Sequence, residues 1–131
     1  MASIAKSGQV SVSTSVPPTN CMISGLYAGE ALAAGDACYI NTSDNKIYRS
    51  NGTTTGLPSV VDGFTPSDVP IGEVVTLMWH VNLRYGAALS PGSFVYLDTV
   101  AGGLSTVATT GGLTIIGRVI DTTRIWVQKS Y

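Results

Sequence analysis

Ala31-Leu32-Ala33-Ala34-Gly35-Asp36-Ala37-Cys38-Tyr39-Ile40-Asn41 is matched, 57 positions later, by Ala88-Leu89-Ser90-Pro91-Gly92-Ser93-Phe94-Val95-Tyr96-Leu97-Asp98. The shared phrase is Leu-x-x-Gly, followed by a short apolar run through a tyrosine. Ile47 and Leu104 continue the match at the same offset. Val61-Asp62-Gly63-Phe64 matches Ile115-Ile116-Gly117-Arg118 at an offset of 54, and Val74-Val75-Thr76 matches Ile125-Trp126-Val127 at 51. Shorter loops in a second copy produce such a falling offset. Self-similarity of this kind marks a duplicated supersecondary unit. It predicts two pseudo-repeats, about 25–79 and 80–131, within one β domain over 21–131.

Each marker has a physical reason. The glycine of Leu-x-x-Gly suits a tight turn at positive φ, and the leucine suits a plug at the end of a core. A glycine inside a strand, as at Gly63 and Gly117, signals a bulge or a close backbone approach. Such residues read as determinants of the fold.

Outward from the repeat, period-two signals dominate. Strands are expected at Ala37–Asn41, Lys46–Arg49, Val60–Phe64, Glu73–Trp79, Val81–Tyr85, Phe94–Leu97, Gly103–Val107, Leu113–Ile120 and Arg124–Gln128. Turn-formers such as Ser43-Asp44-Asn45, Ser90-Pro91-Gly92 and Gly111-Gly112 separate them. The one helix-like patch, Ala28 to Ala34, is bracketed by Gly29 and Gly35 too tightly for more than a turn. The expected class is all-β, a small β-barrel or β-sandwich.

Residues 1–20 lie outside the repeat. Val10, Val12 and Val16 alternate with serines, and Pro17-Pro18 stops the run because proline cannot donate to a ladder. Two readings stand side by side: an extended N-terminal arm that adds to a neighbour's sheet edge, or an ordinary first strand of the same domain. On the arm reading, Val10, Val12, Val16, Pro17 and Pro18 are the partner-binding residues.

Only 11% of the residues are charged and the net charge is −1, against roughly 25% charged in ordinary domains. Ser, Thr and Gly fill the gap, with 44 of 131 residues. The best cationic candidates, Lys46 with Arg49 and Arg118 with Arg124, are each a pair and not a patch. Nucleic acid is therefore not an expected partner. Residues 1–6 lack the apolar run of a signal peptide, and no stretch approaches the ~20 apolar residues of a membrane span. Synthesis in the cytosol is the expectation, and nothing in the spacing of Cys21 and Cys38 requires a disulfide or a metal.

The chemistry-bearing residues point to a non-enzyme with no catalytic, cofactor-binding or metal-binding residues. His80 is the lone histidine and has no second ligand at metal spacing. No Gly-x-Ser-x-Gly elbow supports a nucleophile. Most of the aspartates fall at turns, where Asp caps local backbone. A cleft with His80 beside a carboxylate would revive an enzyme.

Gly29 to Ile40, followed by Asp44-Asn45-Lys46-Ile47-Tyr48-Arg49, resembles the small capsid cement or head-decoration proteins of tailed phages, and Ala88–Asp98 with Gly103–Val119 repeats the phrase. The likeness covers roughly residues 25–128. It implies a β protein on the outer surface of a capsid that stabilises the shell, with the major capsid protein as partner. It also implies a homo-oligomer, a trimer favoured, with assembly in the host cytoplasm and an N-terminal arm that touches the coat. This chain departs from the pattern in its insertion-like loops Asn51–Pro58 and Pro66–Pro70. The alternative is a carbohydrate-binding or host-adhesion module of a phage fibre, with Tyr27, Tyr48 and Tyr85 as candidate platform rings.

Overall fold

The computed structural model describes residues 3–13 and 21–131. It is nearly all-β. Two short strands, β1 (Ser3–Ile4) and β2 (Ser11–Val12), precede the repeat. The first unit holds β3 (Met22–Tyr27), β4 (Ala37–Asn41), β5 (Lys46–Arg49), β6 (Gly63–Phe64) and β7 (Val74–Met78). The second holds β8 (Val81–Arg84), β9 (Phe94–Leu97), β10 (Leu104–Ser105), β11 (Gly117–Val119) and β12 (Arg124–Val127). A 3-10 turn, Leu57–Ser59, lies in the loop after β5.

The duplication is visible in the topology. The first sheet runs β3-β7-β6-β4-β5 and the core of the second runs β8-β12-β11-β9-β10, antiparallel throughout. The two orders are the same, strand for strand. The matched turns agree as well: Gly35 and Gly92 have φ of 79° and 90°, and Asn45 and Gly102 have 59° and 76°. Gly63 and Gly117 mark the same close approach. A Cβ on Gly63 would lie 2.8 Å from Leu77 Cβ, and one on Gly117 would lie 2.6 Å from the Trp126 carbonyl oxygen.

The register corrects one part of the sequence match. Phe64 pairs with Met78 and Met22 with Met78, while Arg118 pairs with Trp126 and Asn82 with Trp126. Trp126 is thus the counterpart of Met78, an offset of 48 and not 51. A slip of three is odd and changes the face. It would set Val75, 2% exposed in the interior, opposite Trp126, which points outward. Strand β3 was missed in the sequence because Gly25, at φ 106°, carries a bulge between Ser24 and Leu26 and breaks the alternation. Leu113–Ile120 is shorter than expected, with only Gly117–Val119 in the ladder.

The cores follow the units. Ala28, Leu32, Cys38, Ile47, Val75 and Leu77 fill the first. Leu83, Tyr85, Val95, Leu97, Leu104 and Ile125 form the heart of the second. Ala37 and Phe64, which stand on the outward face of the first sheet, belong to the second unit's core and are fully buried. The two units are therefore stacked face to interior, not side by side.

Candidate functional site

The extended N-terminal segment is present, and over residues 3–13 the edge it adds to is its own. Ser3 and Ile4 pair with Ser105 and Leu104 of β10. Ser7 donates to the Tyr85 carbonyl at 2.9 Å, and Ser11 and Val12 pair with Arg84 and Leu83 of β8. The segment therefore runs from one edge of the second sheet to the other and curls it toward closure. In the first unit the equivalent edges meet directly, with the Gly29 amide 2.9 Å from the Ile47 carbonyl. Val10 is 3% exposed, and Val12, half-buried, packs against the same core. That corrects the arm reading of Val10, since a valine buried in its own domain is not free to anchor a neighbour; Val12 keeps part of its side chain exposed. Val16, Pro17 and Pro18 lie outside the described residues.

Polar contacts hold the segment. Ser3 donates to the Asp98 carboxylate. Lys6 Nζ sits 2.6 Å from Asp36 Oδ1, an ion pair to the first unit. Asp36 also accepts from the Ala33 amide at 2.8 Å, which satisfies a carboxylate that is nearly buried.

The residues weighed for chemistry are spread apart. His80 is exposed, in the left-handed region at φ 56°, with its ring stacked on Trp126 at 5.4 Å and 5°. Its Nδ1 lies 3.7 Å from Cys21 Sγ. Cys21 and Cys38 are free thiols. Burial, with the Asp36 charge adding to it, pushes the Cys38 thiol well above its ordinary range, which suits a small hydrophobe better than a nucleophile. Among the described residues no three His, Cys, Asp or Glu side chains are grouped to hold a metal, and no helix is long and apolar enough to cross a membrane. Of the three rings weighed for a glycan platform, Tyr85 is 1% exposed and belongs to the core. Tyr48 is half-buried over Gly29 with its hydroxyl 2.6 Å from Asp44. Only Tyr27 holds its ring in solvent.

One surface does bring side chains together. Across the outer face of the second sheet, Phe94, Arg118, Trp126 and Asn82 form one cross-strand row on β9, β11, β12 and β8. The Arg118 guanidinium lies 5.3 Å from the Phe94 ring centre. Trp126 carries the His80 ring, and Gly92, Ile120 and Trp126 flank Arg118 in a shallow groove. Arg84 and Arg124 stand opposite each other on the same face. Arg124 is paired with Asp121 at 2.7 Å. Backbone and guanidinium hydrogen bonds hold that Asp121 carboxyl down to about 2. Among the described residues, neither Arg118 nor Arg84 has a carboxylate within ion-pair distance. Arg118 and Arg124 stand out in the sequence only as a pair; on the sheet Arg124 is held by Asp121 while Arg118 joins the aromatic row. The signal that could have found the row is the alternation Arg124-Ile125-Trp126-Val127, with Ile125 and Val127 buried.

No family model matches the chain, and comparison with curated proteins finds no relative.

Proposed function

We propose that this chain is a non-enzymatic structural subunit, a capsid decoration protein that binds the outer surface of a tailed-phage head. The observation that carries the reading is the duplicated Leu-x-x-Gly element. The phrase that resembles cement proteins builds the same turn, at Gly35 and Gly92, and the same strand order in both units. Two chained, glycine-hinged sheets make a stiff block whose recognition surfaces are its outer faces.

The physics of the role is additive. A stable joint with the major capsid protein needs on the order of 1,000 Å² of buried surface per copy. Many symmetry-related copies, as trimers at three-fold positions, then stabilise the shell by mass action, because they bind the assembled state and not its dissociated parts. A sparse-charge, Ser/Thr-rich surface suits close symmetric contact, where an unpaired buried charge is costly. The test is co-sedimentation of the purified full chain with expanded, DNA-free capsids of its parent phage. Saturable binding and a raised capsid melting temperature are expected. Absence of binding at micromolar protein overturns the proposal.

A further inference from the structure

The pairing register makes the outward row of each unit comparable, residue by residue. Ala37, Phe64, Met78 and Met22 in the first unit stand where Phe94, Arg118, Trp126 and Asn82 stand in the second. In the first unit the Ala37–Phe64 half of this face is covered: both residues are fully buried, beneath the second unit, while Met22 at the other end is 38% exposed. Part of the cover is the β9–β10 turn, where the Gly102 carbonyl accepts the Ala37 amide at 3.1 Å and the Gly102 amide reaches the Ser50 carbonyl at 2.7 Å. In the second unit no described residue plays that part, and Phe94 is 48% exposed.

We infer that the row Phe94–Arg118–Trp126 is a docking face for a second copy of this chain, which presents its first unit, β4–β5 turn foremost. Two independent observations point to that occupant. The first is continuity with an interface already in the molecule. The β4–β5 turn is the counterpart of the β9–β10 turn that covers Ala37, and Asn45 shares the left-handed backbone of Gly102. The second is charge. The first unit carries Glu30, Asp36, Asp44, Asp62, Asp68 and Glu73 against Lys46 and Arg49, a formal −4. The second carries Asp98 and Asp121 against Arg84, Arg118, Arg124 and Lys129, a formal +2. Asp44 is exposed on the tip of the β4–β5 turn, and Arg118 has no carboxylate partner among the described residues. Arg and aromatic side chains at the centre of a patch are the usual anchors of an interface. A contact of this kind is head-to-tail, so it closes into a ring or runs on as a chain according to the rotation between copies.

The test is sedimentation velocity on the full chain over a range of concentrations and salt. Wild type is expected to sediment as a species larger than the 13.6 kDa monomer, and added salt is expected to weaken it. Arg118→Glu and Asp44→Lys should each weaken association by at least about tenfold, equivalent to ~1.4 kcal/mol. Combining both reversals should restore it, which a mere folding defect would not do. A wild type that stays monomeric throughout, or variants that associate like wild type, overturn the inference. Self-association is read here without a capsid. A monomer that still decorates capsids would defeat this inference and the trimeric arrangement, and leave capsid binding standing.

Discussion

The Ser7 amide and the Tyr85 carbonyl, 2.9 Å apart, occupy the seam that the first unit closes with Gly29 and Ile47. The second unit is thus completed by a strand from outside the repeat. Deleting residues 2–13 is expected to abolish the cooperative fold of the second unit, not to leave an intact core. Amide exchange at Leu83, Arg84 and Tyr85 measures this, and protection like that of wild type in the truncated chain would show the strand to be dispensable.

Val10 carries much of that strand's burial. It packs where a Cβ on Gly35 would stand, 2.7 Å from its Cγ1. Val10→Ala should cost about 2 kcal/mol through lost transfer energy and a residual cavity. Gly35→Ala should cost more, since it adds a clash to a φ of 79°. Chemical denaturation of both variants ranks them, and a reversed order would contradict the packing.

Lys6 lies against Asp36, whose side chain is 7% exposed, while Lys6 itself is 28% exposed. Lys6→Met keeps the stem and removes the charge, leaving Asp36 with the Ala33 amide and the loss of one screened pair. A destabilisation of about 1–2 kcal/mol is expected, reduced from the fully buried case by solvent at the lysine. Urea midpoints at low and high salt check it; a variant as stable as wild type would show the pair to be idle.

Gly63 and Gly117 are symmetry mates in the duplicated fold, and each abuts the neighbouring strand. Gly63→Ala and Gly117→Ala should destabilise by similar amounts, roughly 1–3 kcal/mol each, because both force strand separation. A large effect at one and none at the other would break the equivalence.

Tyr131 donates to Asp62 at 2.6 Å, and that hydrogen bond, with partial burial, pushes its phenol up to about 12 from 10. A raised folded value means that the stabilisation is fully present below pH 10 and is lost as the pH climbs toward 12. Phenolate absorbance should show Tyr131 as a late titrator, and Asp62→Asn should bring it back toward the ordinary range. An unchanged titration would sink the coupling.

The alternations around Tyr39, Leu83 and Ile125 were readable because a strand's in-out period is local, set by the pleat. The same holds for the Gly35 and Gly92 turns, where only backbone sterics are at issue. The Val74–Thr76 match slipped by three because apolar similarity does not carry register; hydrogen-bond pairing does. β3 was hidden because the bulge at Gly25 shifts the alternation in mid-strand.

By itself the sequence determined that the chain is β-rich, duplicated and hinged at paired glycines, since each of these follows from short-range sterics and the burial of alternate side chains. Only the tertiary structure decided that residues 3–13 complete the second unit and that Phe64 is covered while Arg118 is bare. The physical reason is that a residue's direction off a strand is a local property. What lies above it depends on how two whole units stack, and no local pattern in Gly117-Arg118-Val119 records that.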